Sequence, residues 1–141
     1  MIRYLIDYRA VVTRFFGELD VTEVFVCLKD EIAEGHARIV EHDDVELGVI
    51  RHNGRYYAYR NVCPHQGGPA CEGMLMPQVL DCIRSDGSYA SQTFDEGDMH
   101  IVCPWHGYEF HLETGAHVAN ENVRLEKFAV TEREGKIYVT I

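Results

Sequence analysis

The chain has 141 residues, enough for one domain with a real hydrophobic core and too few for two large ones. Its hydrophobic fraction of 46% is ordinary for a globular protein, whereas its formal net charge of −10 argues against a nucleic-acid-binding face. No apolar run approaches the ~20 residues of a membrane-spanning helix, and Asp7 and Arg9 argue against a cleaved secretory signal. The odd number of cysteines, five, favours a reducing, cytoplasmic setting without a disulfide framework.

The first 22 residues favour an N-terminal arm that is helical or irregular. Apolar side chains recur at helix-like spacing through residues 1–20, although Gly17 and the β-branched stretch at 11–13 weaken this pattern. From residue 23 onward the pattern is that of short strands, with one helical turn expected at 29–35. Strands are expected at 23–28, 37–41, 45–51, 55–60, 108–112, 116–119, 128–132 and 136–141. Asn53 and Gly54 predict a two-residue hairpin turn, and the whole pattern indicates an all-β sandwich or barrel.

Two short segments each offer one thiol and one imidazole. The first contains Cys63 and His65, and the second contains Cys103 and His106. A structural zinc site tends to pair cysteine with cysteine and histidine with histidine in its two ligand loops. Mixed ligands within each segment suit a site with two unlike metals, although a structural zinc site stays open as the alternative.

The stretches CPHQGGPACEGML (63–75) and CPWHGYEFHLETG (103–115) resemble the cluster-binding loops of Rieske proteins, including the proline after each cysteine. The resemblance covers about residues 23–141 and implies the Rieske iron–sulfur fold, an antiparallel β-sandwich base with an inserted cluster-binding subdomain at about 61–115. It also implies one 2Fe–2S cluster, with Cys63 and Cys103 on one iron and His65 and His106 on the other.

High-potential members of this family carry an additional cysteine in each loop, joined as a disulfide, together with a serine and a tyrosine that donate hydrogen bonds to the cluster. The corresponding positions here are Gly68 and Trp105 for the disulfide, then Tyr108 and Phe110 for the donors. Because these groups are missing, the resemblance implies a low potential, near about −150 mV.

Residues 76–100 form a long acidic insert between the two ligand segments, with five acidic side chains and a single base, Arg84. A solvated loop is one interpretation, and a flap that docks a partner or covers the cluster is the other. Cys71 and Cys82 are either free thiols or a pair that clips the insert down. The remaining histidines are interpreted as surface or core residues: His36, His42, His52, His100, His111 and His117.

The resemblance is strongest to the Rieske ferredoxin components of multicomponent dioxygenases. It implies a soluble one-electron carrier between a reductase and a terminal oxygenase, rather than a stand-alone catalyst. A small Rieske subunit of a larger oxidoreductase, similar to that of nitrite reductase, and a redox-sensing module are the alternatives. An oxygenase large subunit needs a further iron held by two histidines and a carboxylate, and we expect no such catalytic domain because His117 is the sole histidine after Gly115.

Overall fold

The computed structural model describes residues 3–5, 11–16 and 19–141, with side chains described from residue 21 onward. The N-terminal stretch contains β1 (Arg3–Leu5) and β2 (Val11–Phe16), followed by β3 (Leu19–Leu28). The helix considered for residues 1–20 is therefore wrong wherever this stretch is described. The β-branched residues at 11–13 favour the extended backbone, and β2 gains a partner by pairing antiparallel with β3. β3 runs without a break through residues 22 and 23, where the sequence suggests a boundary.

The base of the molecule is a sheet that contains most of the strands expected from the sequence. Its further members are β4 (Ala37–His42), β5 (Val45–His52), β6 (Arg55–Arg60), β12 (Lys127–Arg133) and β13 (Lys136–Thr140). The strand order is β1-β4-β5-β6-β12-β13-β3-β2, and the pairing is antiparallel except between β1 and β4. The hairpin turn at Asn53 and Gly54 is confirmed, with φ values of 50° and 71°. The expected helical turn at 29–35 is wrong, because this stretch forms separate turns.

The second sheet contains β7 (Met74–Ile83), β8 (Tyr89–Val102), β9 (Glu109–His111), β10 (Ala116–His117) and β11 (Asn120–Arg124). Its order is β11-β10-β9-β8-β7, and a short 3-10 helix at Ala70–Glu72 precedes it. The acidic insert is an antiparallel hairpin made by β7 and β8, with register shifts after Pro77 and after Cys82 and with Gly87 at φ 84° in its turn. Residues 76–100 therefore form paired strands rather than a loop, although most of their side chains are exposed to solvent.

Two apolar cores hold the described residues together. One lies within the base and includes Leu47, Val49 and Ile137. The other lies between the base and the second sheet, where Tyr59 and Phe110 are fully buried. This second core positions the ligand segments, because both cysteines of those segments belong to it.

Polar contacts fix the second sheet on the base at this core. The Tyr59 hydroxyl donates to the carbonyl oxygen of Leu112 at 2.6 Å, and the Cys71 N–H donates to Asn61 Oδ1 at 2.8 Å. Gly48 is required opposite Cys71, since a Cβ at position 48 would lie 2.1 Å from the Cβ of Cys71. Within the described part of the chain, no helix has the length and apolar character needed to cross a membrane.

Candidate metal centre

The two ligand segments adopt the same backbone turn. In each, the N–H of the cysteine donates to the carbonyl five residues later, at 2.7 Å for Cys63 and 2.8 Å for Cys103. The glycine four residues later donates back to the cysteine carbonyl, at 2.8 Å from Gly67 and 3.0 Å from Gly107. These glycines have φ values of 78° and 70°, a conformation in which side chains larger than hydrogen are strained. Each segment therefore presents its cysteine from a rigid, closed loop.

The two cysteine thiols are buried side by side, each with 2% of its surface exposed. Burial raises the pKa of the Cys63 thiol, as does the neighbouring Cys103 thiol, whereas the backbone N–H groups of His65 and Gln66 donate to the sulfur and act in the opposite direction. A bound metal cation favours the thiolate strongly. The site thus offers two adjacent sulfur ligands, with backbone donors already directed at one of them.

The two imidazoles form a separate pair at the surface. His65 and His106 are exposed, and their ring centroids lie 4.9 Å apart with the planes at 87°. The Tyr108 ring stacks on His65 with a centroid distance of 4.0 Å and an interplanar angle of 10°, which restrains that imidazole. The structure therefore brings the four sequence-predicted residues together and sorts them by type, with thiols inside and imidazoles outside.

Trp105 packs against Gly68, between the two ligand segments. A Cβ at Gly68 would lie 2.8 Å from the Trp105 ring and 3.2 Å from Cys103 Sγ. The aromatic ring thus fills the space beside the thiol pair while 57% of its own surface stays exposed. The two ligand segments are held against each other here by packing.

A second group of ionisable side chains lies on β8 and β9, where the sequence predicts only ordinary surface or core residues. It consists of Asp98, His100, Glu109 and His111. His100 is 3% exposed, and its ring meets that of His111 edge to face at 4.9 Å. No spacing along the chain could have indicated this group, because the pairing of β8 with β9 creates it.

A small all-β fold with two buried thiols and two surface imidazoles defines an iron–sulfur protein with mixed ligands. Residues 22–129 match the family model described as the Rieske [2Fe-2S] domain. The chain belongs to this family, and its cofactor is the single 2Fe–2S cluster of the family. The donor set fits that cluster, since it supplies one sulfur pair and one nitrogen pair from two matching loops.

Known proteins resemble the chain over most of its length. The ferredoxin component of the alkene monooxygenase system from Xanthobacter autotrophicus is 26% identical over 120 residues, which covers 85% of this chain and 82% of that protein. A chain in the complex of reduced oxygenase and oxidized ferredoxin in carbazole 1,9a-dioxygenase is 28% identical, with a TM-score of 0.62, and the match covers 83% of this chain and 91% of that one. The putative NADH-dependent nitrite reductase small subunit from Mycobacterium tuberculosis shares the fold, with a TM-score of 0.66, 20% identity and coverage of 84% and 94%.

Proposed function

We propose that this protein is a one-electron carrier that passes electrons from a reductase to a terminal oxygenase. Its cluster is held by Cys63 and Cys103 on one iron and by His65 and His106 on the other. The observation that carries this proposal is the sorting of the ligands, with the thiols buried and both imidazoles exposed. The similarity to ferredoxin components of oxygenase systems supports the direction of electron flow.

The chain itself provides burial, orientation and access at this site. When bound, the 2Fe–2S cluster supplies reversible one-electron chemistry. The buried thiols keep one side of the site away from water, while the exposed edges of His65 and His106 bring the other side to the surface. A redox partner can therefore approach closely only from the histidine side.

The surface around the histidines is suited to a transient protein contact. Three exposed apolar residues lie near the ligand segments. Val62 directly precedes Cys63, Trp105 lies between Cys103 and His106, and Met74 pairs with Val102 across the second sheet. The net charge of −10 favours encounter with a positively charged partner, since complementary charge raises association rates. Such a contact is expected to weaken with rising salt.

The β7–β8 hairpin extends this contact surface. It carries the exposed cross-strand pairs Val79–Phe94 and Ile83–Tyr89, and β8 leads directly into Cys103. Exposed apolar pairs of this kind are uncommon on a strand pair that only meets water, which favours the docking role over a purely solvated segment. The positively charged redox partner that approaches the histidines would contact this hairpin as well.

A hairpin deletion tests the docking role. Residues 80–93 are replaced by Asn-Gly, which joins the cross-strand neighbours Val79 and Phe94 by a favourable two-residue turn. We expect slower electron transfer from a ferredoxin reductase at unchanged midpoint potential. The matched control is Leu80→Ser, which removes an exposed apolar side chain on the face of β7 opposite to that of Val79. Transfer rates that do not change in the deletion variant would remove the outer part of the hairpin, including the Ile83–Tyr89 pair, from the docking surface.

The ligand assignment is tested by substitution and metal analysis. Cys63→Ser, His65→Gln, Cys103→Ser and His106→Gln should each lose the cluster signal and most of the iron. His117→Gln is the control, because its ring lies 4.9 Å from that of Tyr108 and thus close to the site. Retention of a normal cluster in any of the four variants would contradict the assignment of that residue.

A role as the small subunit of a nitrite-reductase-like oxidoreductase is the second candidate function. The fold shared with the Mycobacterium tuberculosis protein favours it. A carrier is reduced and reoxidised by separate proteins as a free chain, whereas a subunit copurifies with its larger partner. The cytoplasm is the proposed location for either role, because all five cysteines are free of disulfides.

A further inference from the structure

The group on β8 and β9 has the composition of a metal site that is separate from the cluster ligands. Asp98, His100 and His111 each offer one ligand atom, and these atoms all lie within 4.8 Å of one another. The strand register explains this convergence. His100 is directly opposite His111, and Asp98 lies two residues before His100 on the same face of the strand.

His100 is the part of this group that ordinary hydrogen bonding leaves unexplained. Its Nδ1 lies 2.8 Å from Glu109 Oε2, and a carboxylate only accepts, so Nδ1 carries the proton. Its Nε2 is buried and has no hydrogen-bond partner, although Asp98 Oδ2 lies 3.5 Å away. A buried imidazole nitrogen without a hydrogen-bond partner costs free energy, and here it faces the carboxylate of Asp98 at a separation longer than an ordinary hydrogen bond.

A cation between these atoms would resolve the arrangement. A tetrahedral ion with bonds of 2.0–2.1 Å separates its ligand atoms by about 3.3 Å. The 2.8 Å from His111 Nδ1 to Asp98 Oδ1 and the 3.5 Å from His100 Nε2 to Asp98 Oδ2 lie on either side of that value and involve the two different oxygens of Asp98. One ligand atom from each of the three residues lies within 4.8 Å of the others, so coordination requires the side chains to move closer together.

Glu109 occupies the position that orients a metal-bound histidine. Histidine ligands usually donate their second N–H to a carboxylate or carbonyl, which fixes the tautomer with the other nitrogen free for the metal. The bond from His100 Nδ1 to Glu109 has this form. His111 also lines a surface cavity of about 430 Å³ together with His117 and Arg124, so this ligand can be reached from the surface.

We propose that Asp98, His100 and His111 bind one divalent first-row transition ion, with Glu109 orienting His100 and with the ion displacing the proton that His111 Nδ1 donates to Asp98 Oδ1. Two imidazole nitrogens and one carboxylate oxygen suit Zn²⁺ and Fe²⁺, and three protein ligands leave at least one coordination position open. The ion would tie β8 to β9 on the strands that flank the second ligand segment.

The test is zinc binding by the intact, cluster-loaded protein. Loosely bound metal is removed with a mild chelator, iron is confirmed at two atoms per chain, and Zn²⁺ is titrated against a colorimetric zinc chelator. We expect one Zn²⁺ per chain in addition to the iron, with the cluster absorbance unchanged. Asp98→Asn and His111→Gln should each weaken binding at least tenfold, and Glu109→Gln about tenfold.

His42→Gln is the matched control, because His42 also lies beside an aspartate, Asp43, with 3.4 Å between Nε2 and Oδ2. It should leave zinc affinity unchanged. The proposal is overturned if the wild-type protein takes up no zinc beyond its iron, or if zinc enters only as iron is lost. It is also overturned if the three site variants bind zinc as tightly as the control. His111→Gln guards against misfolding, since His111 is only half-buried and its variant should fold even if a His100 variant does not.

Discussion

Tyr59→Phe removes one buried hydroxyl from the junction between the base and the second sheet. The Tyr59 hydroxyl is fully buried and donates to the Leu112 carbonyl at 2.6 Å, across 53 positions of sequence. The variant leaves this carbonyl without that donor in a place that water does not reach. Leaving a buried acceptor unsatisfied costs about 1–3 kcal/mol. We therefore expect a loss of about 2 kcal/mol in the free energy of unfolding.

The assay is the rate at which the visible absorbance of the cluster disappears in urea. Because the contact joins distant parts of the chain, we expect it to be broken in the transition state for unfolding, so that its full value accelerates unfolding. The rate should rise about tenfold or more, since about 1.4 kcal/mol corresponds to a factor of ten.

Tyr57→Phe is the control for this experiment. The Tyr57 hydroxyl donates to Glu113 Oε2 at 2.9 Å, but water can replace it on a largely exposed carboxylate. Its loss should cost no more than about 0.5–1 kcal/mol. If Tyr59→Phe accelerates cluster loss no more than Tyr57→Phe does, the junction does not depend on the Tyr59 hydrogen bond as described.

Three further predictions concern the cluster loops and the thiols. Gly68→Ala should destabilise the site by about 1–3 kcal/mol, because the new Cβ would lie 2.8 Å from the Trp105 ring. In a double-mutant cycle, a clearly smaller effect of the same substitution in a Trp105→Ala background would confirm that contact. The midpoint potential should be about −150 mV, because Gly68 and Trp105 stand where high-potential Rieske proteins carry the two cysteines of a disulfide. A midpoint potential above zero, measured by protein-film voltammetry, would contradict this prediction. A thiol reagent at pH 8 should modify only Cys82 in the folded protein, and Cys82→Ser should abolish the reaction. Burial raises the pKa of the Cys27 thiol to about 11 and that of the Cys71 thiol to about 12. Reaction at either of these two thiols would contradict their burial.

The sequence predicts the strand-rich fold and the two matching loops well because both are encoded locally, while the assignment of the four cluster ligands stays a prediction. The loops at Cys63 and Cys103 carry their ligands and glycines within a few residues of one another. The hairpin turn at 53–54 is similarly set by two adjacent residues. In each case the chain needs no distant partner to reveal the structure.

The failures of prediction have the opposite origin. The apolar spacing at residues 1–20 suggests a helix, but pairing with β3 and the β-branched residues at 11–13 override it. The hairpin at 76–100 lacks a clear alternation of polar and apolar residues, because most of its side chains on both faces are exposed. His100 and His111 become neighbours only through the register of β8 and β9, and no pattern in the sequence reports that register.

The central claim is the Rieske cluster held by two thiols and two imidazoles. An EPR spectrum of the dithionite-reduced protein, purified in air, tests it most directly. The account predicts a rhombic signal with an average g value below that of a 2Fe–2S centre with four cysteine ligands, because histidine replaces cysteine on one iron. A silent spectrum, together with one zinc and no iron bound by Cys63, His65, Cys103 and His106, would contradict it and make the four residues a structural zinc site.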